Sequence, residues 1–371
     1  RGAGLSVCGG DQLVGPAAGS RASAHAADSL ASLREMPTAE EWEAGALHQY
    51  GLIAVTPAGD ATQLEKVTHD VAIKYLPPDV VKVGTSLGSF SMTAALTESL
   101  LAEFAPELSA KEVPLDSDPH FWMPLTLRKA DYLAVMAKKG TDSEAAGAHF
   151  ERMANFRSKF QREGAILGCV DVGNDGCWWD YGRLGLYQEN NLLVAKDGDG
   201  AHALRCFLKL QPIGAAPSER PDTRRNTTIS AKLEVDPSAV LLNCRIGAGR
   251  VGAGSVLVNV TAPSVDVERV ILMQVTSTAP VSGSGGVLYN VLHQSTEPLS
   301  ASDVRADVFM PDQKVEIRSK LDIDGGKAWK TRVEGNTMSF EECYKADLSL
   351  DVSACVASGL AAHKQAAASI P

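Results

Sequence analysis

The stretch VLLNCRIGAGRVGAGSVLVNV (240–260) decides the fold. It contains no run of strong helix formers. Its apolar residues recur six apart, Val240 with Ile246 and Val251 with Leu257. The same step joins Ile229 to Val235 upstream and Val265 to Ile271 downstream, with small residues or Asn between. Short strands at a six-residue step predict a parallel β-helix over residues 226–300. The segment Gly247-Ala-Gly-Arg-Val-Gly-Ala-Gly254 supplies its coil corners. An ordinary β-sandwich of short strands is the alternative reading.

Working toward the N-terminus, Pro217–Arg225 is polar and proline-bearing and reads as a linker. Before it, residues 1–215 alternate apolar strands with amphipathic helices. Leu5–Cys8 is a short apolar strand ending at Gly9-Gly10-Asp11, and residues 15–35 read as loop or weak helix. Tyr50–Val55 and Ala61–Lys66 are strands joined by the turn Pro57-Ala-Gly-Asp60. Val80–Val83 is a strand, and Gly84–Phe90 a tight glycine-bearing connection. Met92–Phe104, Thr126–Met136 and Glu144–Phe160 have helical spacing. Ile166–Val172 is a buried-type strand, 178–182 a turn, and Leu184–Asn190 opens a helix. This alternation predicts an α/β layer structure with a largely parallel sheet, whose ligands bind at the carboxyl ends of strands. Toward the C-terminus, residues 301–371 form an extension of two strands and an Ala-rich helix. Within it, Lys320–Lys327 lacks the ligand spacing of a calcium loop and reads as a turn.

Length and composition agree with two domains: 371 residues exceed one ordinary core. A net charge of −10 argues against a general nucleic-acid binder. No apolar run is long enough to span a membrane. The seven cysteines include no CxxC pair, which argues against a zinc site. Their odd, unpatterned count fits reduced thiols in an intracellular compartment, cytoplasm or plastid stroma.

Four blocks in order resemble the sugar-phosphate nucleotidyltransferases, or nucleotide-sugar pyrophosphorylases. Leu5-Ser-Val-Cys-Gly-Gly-Asp11-Gln12 resembles the family's Leu-Gly-Asp-Asn strand end. Tyr50-Gly51-Leu-Ile, a turn, and Leu64-Glu65-Lys66 resemble Tyr-Gly followed by Glu-Lys-Pro, with Val67 in place of Pro. Ser86-Leu-Gly88-Ser-Phe90 resembles Asn-x-Gly-x-Tyr, with Ser86 in place of Asn. Trp178-Trp179-Asp180-Tyr181-Gly182, with Tyr187 and Asn190 downstream, is similar to Trp-x-Asp-x-Gly…Tyr…Asn. The resemblance covers roughly residues 5–295. It implies a Rossmann-like, GT-A-like mixed sheet followed by a left-handed parallel β-helix. It further implies that Asp11 and Asp180 hold catalytic Mg²⁺, that Lys66 contacts the sugar phosphate, and that Gly51, Glu65, Ser86 and Gly88 line the substrate pocket. The substrates implied are a nucleoside triphosphate, UTP by default, and a sugar 1-phosphate, glucose 1-phosphate by default. The family's glycine-rich triphosphate loop is expected before residue 1. Residues 105–165 exceed the usual connection and receive no assigned role.

These residue types suit that chemistry. Two polyanions must meet, so carboxylates holding Mg²⁺ and a compact ammonium lower the repulsion. Gly88 permits close backbone approach. The alternative is a non-catalytic regulatory or structural relative on the same scaffold. A third reading puts acyl-transfer chemistry on the β-helix, where His293 is the only histidine in 228–300. Trp178 and Trp179 read as packing residues, His120 as structural or surface, and Arg245 and Arg250 as solvated. Homo-oligomerisation through the β-helix is expected from its flat faces and exposed edges.

Overall fold

A computed structural model describes residues 25–110, 115, 117–138, 140–160, 166–173, 178–210, 226–323, 329–347 and 349–370. The chain divides into two compact units, Arg1–Trp178 and Trp179–Pro371. The expected strand Leu5–Cys8 and the linker Pro217–Arg225 lie outside the described residues.

The first unit is built on five strands: β1 (Ala27–Arg34), β2 (Gly51–Val55), β3 (Ala61–Glu65), β4 (Lys82–Met92) and β5 (Leu167–Asp171). Their order is β3-β2-β4-β1-β5. Only β1 and β5 pair in parallel; β1–β4, β2–β3 and β2–β4 are antiparallel. The sheet is therefore mixed, which corrects the expectation of a largely parallel one. The reason is local: the turn after Val55 folds β3 straight back on β2, and tight turns join antiparallel strands. Two further expectations change. The Ala/Ser-rich ADSLASLR segment (27–34), read as loop or weak helix, is the inner strand β1, with Ala27 and Ala31 buried. Gly84–Phe90 is no connection but the middle of β4.

Helices α1 (Ala39–Ala44), α2 (His69–Tyr75), α3 (Ala94–Glu103), α4 (Ala105–Ala110), α5 (Met123–Thr126), α6 (Lys129–Lys138) and α7 (Ser143–Lys159) surround this sheet. Sequence marks their ends. Thr38 and Glu41 form a capping box at α1, and Asp142 accepts from the N–H groups of Glu144 and Ala145 at α7. Along β2, Leu52 and Ala54 join one buried cluster with Trp42 and Tyr132. Ile53 and Val55 join another with Leu96, Met153 and Phe156. Alternating side chains thus enter two cores, one on each face, so β2 reads as an uninterrupted apolar run.

The described residues between 105 and 160 supply much of this cover. Tyr132 donates to the Pro119 carbonyl at 3.0 Å, and His149 Nε2 lies 2.8 Å from the His120 carbonyl. A π-helical turn, Asp118–Trp122, carries both Pro119 and His120. His120 has a structural setting here, edge-on to His149 with ring centroids 5.6 Å apart.

The second unit is a parallel β-solenoid. Its strands are β6 (Thr228–Ile229), β7 (Leu233–Val235), β8 (Val240–Leu242), β9 (Arg245–Ile246), β10 (Gly249–Val251), β11 (Val256–Ala262), β12 (Val265–Glu268), β13 (Ile271–Ser277), β14 (Val281–Ser284), β15 (Val287–His293), β16 (Asp303–Phe309) and β17 (Lys314–Lys320). They stack on three sides. β7, β10, β12 and β14 make one. β8 and the first halves of β11, β13 and β15 make the second; β6, β9 and the later halves make the third. Coil-to-coil partners run Val240, Val256, Ile271, Val287, so the repeat is 16, 15 and 16 residues (256−240, 271−256, 287−271). Three equal six-residue sides would give a coil of about 18 residues. The six-residue step in the sequence instead measures across one corner, as from Val240 to Ile246.

The corner between the second and third sides falls on Asn243, Asn259, Gln274 and Asn290, each with φ between 54° and 56°. Asn tolerates this left-handed region better than most residues, which explains its recurrence. Leu241, Leu257, Leu272 and Leu288 stack inside and are fully buried. The next register position is Arg305. Its guanidinium holds the buried Asp307 at 2.9 Å, and Asp307 also accepts from Lys314 at 3.2 Å and the Leu292 N–H at 3.0 Å. The apolar ladder thus ends on an ion cluster, and the antiparallel pair β16–β17 terminates the parallel stack.

Helices α8 (Leu184–Leu193), α9 (Asp199–Phe207), α10 (Phe340–Asp347) and α11 (Val352–Ala368) complete the unit. Val194 and Leu204 pack on Val240 and Val256, covering the second side. On α11, His363 lies 2.9 Å from Thr276 Oγ1, and Arg245 donates to the Ala367 carbonyl at the helix end. Arg250 stays half exposed beside Asp266 and Glu268. Lys320–Ile323 enters a turn; the rest of that segment lies outside the described residues.

Candidate functional site

The β2–β3 hairpin sets the first part of the site. Gly59 turns with φ 88°, and the Thr56 N–H closes the turn on the Asp60 carbonyl at 3.0 Å. This register makes Gly51 and Glu65 the final pair at the open end. Lys66 follows with φ 52°, and its N–H donates to the Tyr50 carbonyl at 3.2 Å. The left-handed backbone at Lys66 ends the strand and leaves the residue exposed.

Neighbouring strands extend that margin. Leu52 pairs with Thr85, so Ser86 lies next in line to Gly51, and Ala31 pairs with both Ser86 and Asp171. Glu65, Gly51, Ser86 and Asp171 therefore fall along one row across the sheet, at the carboxyl end of β5. Gly88 lies just beyond, in a bulge of β4 where Leu87, Gly88 and Ser89 face the single residue Leu30. Its φ is 70°, its N–H donates to Ser86 Oγ at 3.3 Å, and a Cβ there would meet nothing within 4 Å. The backbone at Gly88 is open to close approach.

Trp178 closes the first unit, its ring edge-on to Tyr50 with centroids 5.4 Å apart. Trp178, the first residue of the fourth sequence block, thus touches Tyr50, the first residue of the second. Asp171 is the residue the sequence reading passed over, having treated Ile166–Val172 as one apolar strand. The available signal was an acid ending that apolar run. Its Oδ1 accepts from the Leu33 and Gly173 N–H groups at 3.2 and 3.0 Å.

Asp180 belongs to the second unit. Its Oδ1 accepts the Gly182 N–H at 2.7 Å, and its carbonyl accepts from Asn190 Nδ2 at 2.6 Å. The spacing Asp180-x-Gly182…Asn190 is thereby one hydrogen-bonded turn held against α8. Tyr187 lies edge-on to Tyr181 at 6.0 Å and reaches Met273 Sδ at 3.3 Å. Burial, with the neighbouring Tyr289 and Tyr181, pushes the Tyr187 phenol up, so it stays neutral at physiological pH. Trp179 packs near Phe207 at 6.1 Å, which fits the packing role read for it.

Asp11 and Gln12 lie outside the described residues. Among the described residues, no group of three or more His, Cys, Asp and Glu side chains is arranged to hold a metal ion. Asp180 still suits a hard cation: Gly182 occupies Oδ1, and Oδ2 makes no hydrogen bond among the described residues. Mg²⁺ needs only one or two carboxylates beside water and phosphate oxygens. The acyl-transfer reading fails on geometry. His293 is only 4% exposed, which closes it to a substrate.

The class defined here is a mixed-sheet α/β unit followed in the chain by a parallel β-solenoid unit. Comparison with protein-family models and with curated proteins gives no match for this chain. Among the described residues, no helix is long and apolar enough to cross a membrane.

Proposed function

We propose that this chain transfers a nucleotidyl group from a nucleoside triphosphate to a sugar 1-phosphate, releasing pyrophosphate. In this reading the mixed sheet is a Rossmann-like nucleotidyltransferase sheet and the solenoid winds left-handed. The observation that carries it is the Tyr50–Trp178 contact within the first unit, at the hairpin end that bears Lys66. The row Glu65, Gly51, Ser86 supports it further.

Lys66 would hold the sugar phosphate by a compact positive charge, and the open backbone at Gly88 would accept the sugar ring. Asp180, with Asp11, would hold Mg²⁺. The ion would gather the non-bridging phosphate oxygens and neutralise charge as pyrophosphate leaves. Alignment and neutralisation suffice for an in-line displacement, so no protein nucleophile is required. UTP and glucose 1-phosphate are the first pair to test, with homo-oligomers through the solenoid and a cytoplasmic or stromal location.

One observation favours the second reading, a non-catalytic relative: Asp180 already serves its own turn through Gly182. Pyrophosphate release separates the two. It is measured on the whole protein, over the common nucleotides and sugar 1-phosphates. Mg²⁺-dependent turnover supports the enzyme, and none with any pair leaves the scaffold reading standing.

A further inference from the structure

Helix α9 carries a thiol and an imidazole one turn apart. Cys206 Sγ lies 3.5 Å from His202 Nε2, at i and i+4 on the same helix face. Both side chains are half-buried, neither sealed in the core nor fully in water. The helix itself is rigidly seated. Ala201 and Leu204 are buried, and Arg205 donates to the Val194 and Lys196 carbonyls at 2.6 and 2.7 Å.

The other described cysteines differ. Burial, with Asp171 and Asp28 adding repulsion, pushes the Cys169 thiol up to about 12. Burial pushes Cys244 up to about 11. Cys343 is 1% exposed and lies against Met338 Sδ. Thiols held protonated or sealed away react slowly, because the thiolate is the nucleophile. Cys355 on α11 is half-buried like Cys206 and provides the internal comparison.

We propose that Cys206 is a modification site, activated by His202 for exchange with small disulfides. His202 Nε2 takes the proton of the Cys206 thiol. The thiolate attacks one sulfur of the incoming disulfide, forming the new S–S bond as the old one breaks. The departing thiolate takes the proton back from His202. A thiol and a disulfide enter, a thiol and a mixed disulfide leave, and no external oxidant is required. The inference rests on α9 alone and does not depend on nucleotidyl transfer.

The test treats the whole chain with glutathione disulfide at pH 7 and follows each cysteine-bearing peptide by mass spectrometry. Cys206 is expected to acquire the adduct first, ahead of Cys355. His202→Gln should slow Cys206 labelling about tenfold at pH 7 while leaving Cys355 unchanged. Cys206 labelling no faster than Cys355, or insensitivity to His202→Gln at pH 7, overturns the proposal. Should His202→Gln fold poorly, the wild-type comparison decides alone, and Cys206 labelling no faster than Cys355 overturns the proposal.

Discussion

Tyr50 and Trp178, far apart in sequence, meet edge to face within the first unit, with centroids 5.4 Å apart and planes at 66°. The contact ties Trp178 to the open end of the β2–β3 hairpin. Such aromatic pairs contribute about 0.5–1.5 kcal/mol beyond area burial. Trp178→Ala should therefore lower stability by about 1 kcal/mol, and Trp178→Phe by less. Urea unfolding measures both, and an unchanged midpoint in Trp178→Ala would mean the rings merely lie near each other.

Asp180→Asn separates the turn from the proposed cation. The amide oxygen can still accept the Gly182 N–H, so the fold should survive. The negative charge is lost, and turnover by pyrophosphate release should fall by about a hundredfold or more. Near-normal turnover would remove Asp180 from the metal site.

Two glycines should respond differently to Ala. Gly88 has φ 70° and open space where a Cβ would go, so Gly88→Ala meets only backbone strain, about 1–2 kcal/mol. Gly249 has φ 107°, and its Cβ would sit 1.8 Å from the Val265 carbonyl oxygen of the next coil. Gly249→Ala should cost about 3 kcal/mol or more, since strand backbone must shift. Thermal melts in which the two variants match would contradict the close stacking of β10 and β12.

Acid should weaken the fold through buried histidines. Burial holds His149, His293 and His363 below the ordinary imidazole value, because the charged form is poorly solvated there. The unfolded chain then binds more protons than the folded one below about pH 6.5. Stability is full above that value and declines as pH falls through it. His293→Leu removes one of these buried imidazoles and puts an apolar side chain in its place. It should flatten the decline between about pH 6.5 and 5 in denaturant titrations. An unaltered slope would place the acid sensitivity elsewhere.

Leu257 tests the solenoid interior. It is fully buried between Leu241 and Leu272, and Leu257→Ala should cost about 2–5 kcal/mol. A loss below about 1 kcal/mol would show that the coils close over the cavity.

Much of the fold is legible in the residues themselves. Val and Ile in short runs, broken by Gly and Asn, specify stacked strands, because β-branched chains fill a pleated half-buried face and Asn takes the left-handed corner. Pro57-Ala-Gly-Asp60 specifies its hairpin, and Asp142 its helix start. Other features escape local reading. ADSLASLR lacks strand formers, and only its place between β4 and β5 makes it β1. Gly84 and Gly88 imitate a loop, yet pairing on both sides of β4 keeps the strand continuous through a bulge.

The residues around the candidate site show the same division. Lys66, Gly88 and Asp180 announce themselves in the sequence by type and neighbours. That Glu65, Gly51, Ser86 and Asp171 share one row, and that Tyr50 meets Trp178, is decided by strand register alone. Local sequence determined which segments extend, coil or turn, because those preferences act over a few bonds. Tertiary structure decided which distant side chains became neighbours, because strand pairing depends on the shared burial of whole faces.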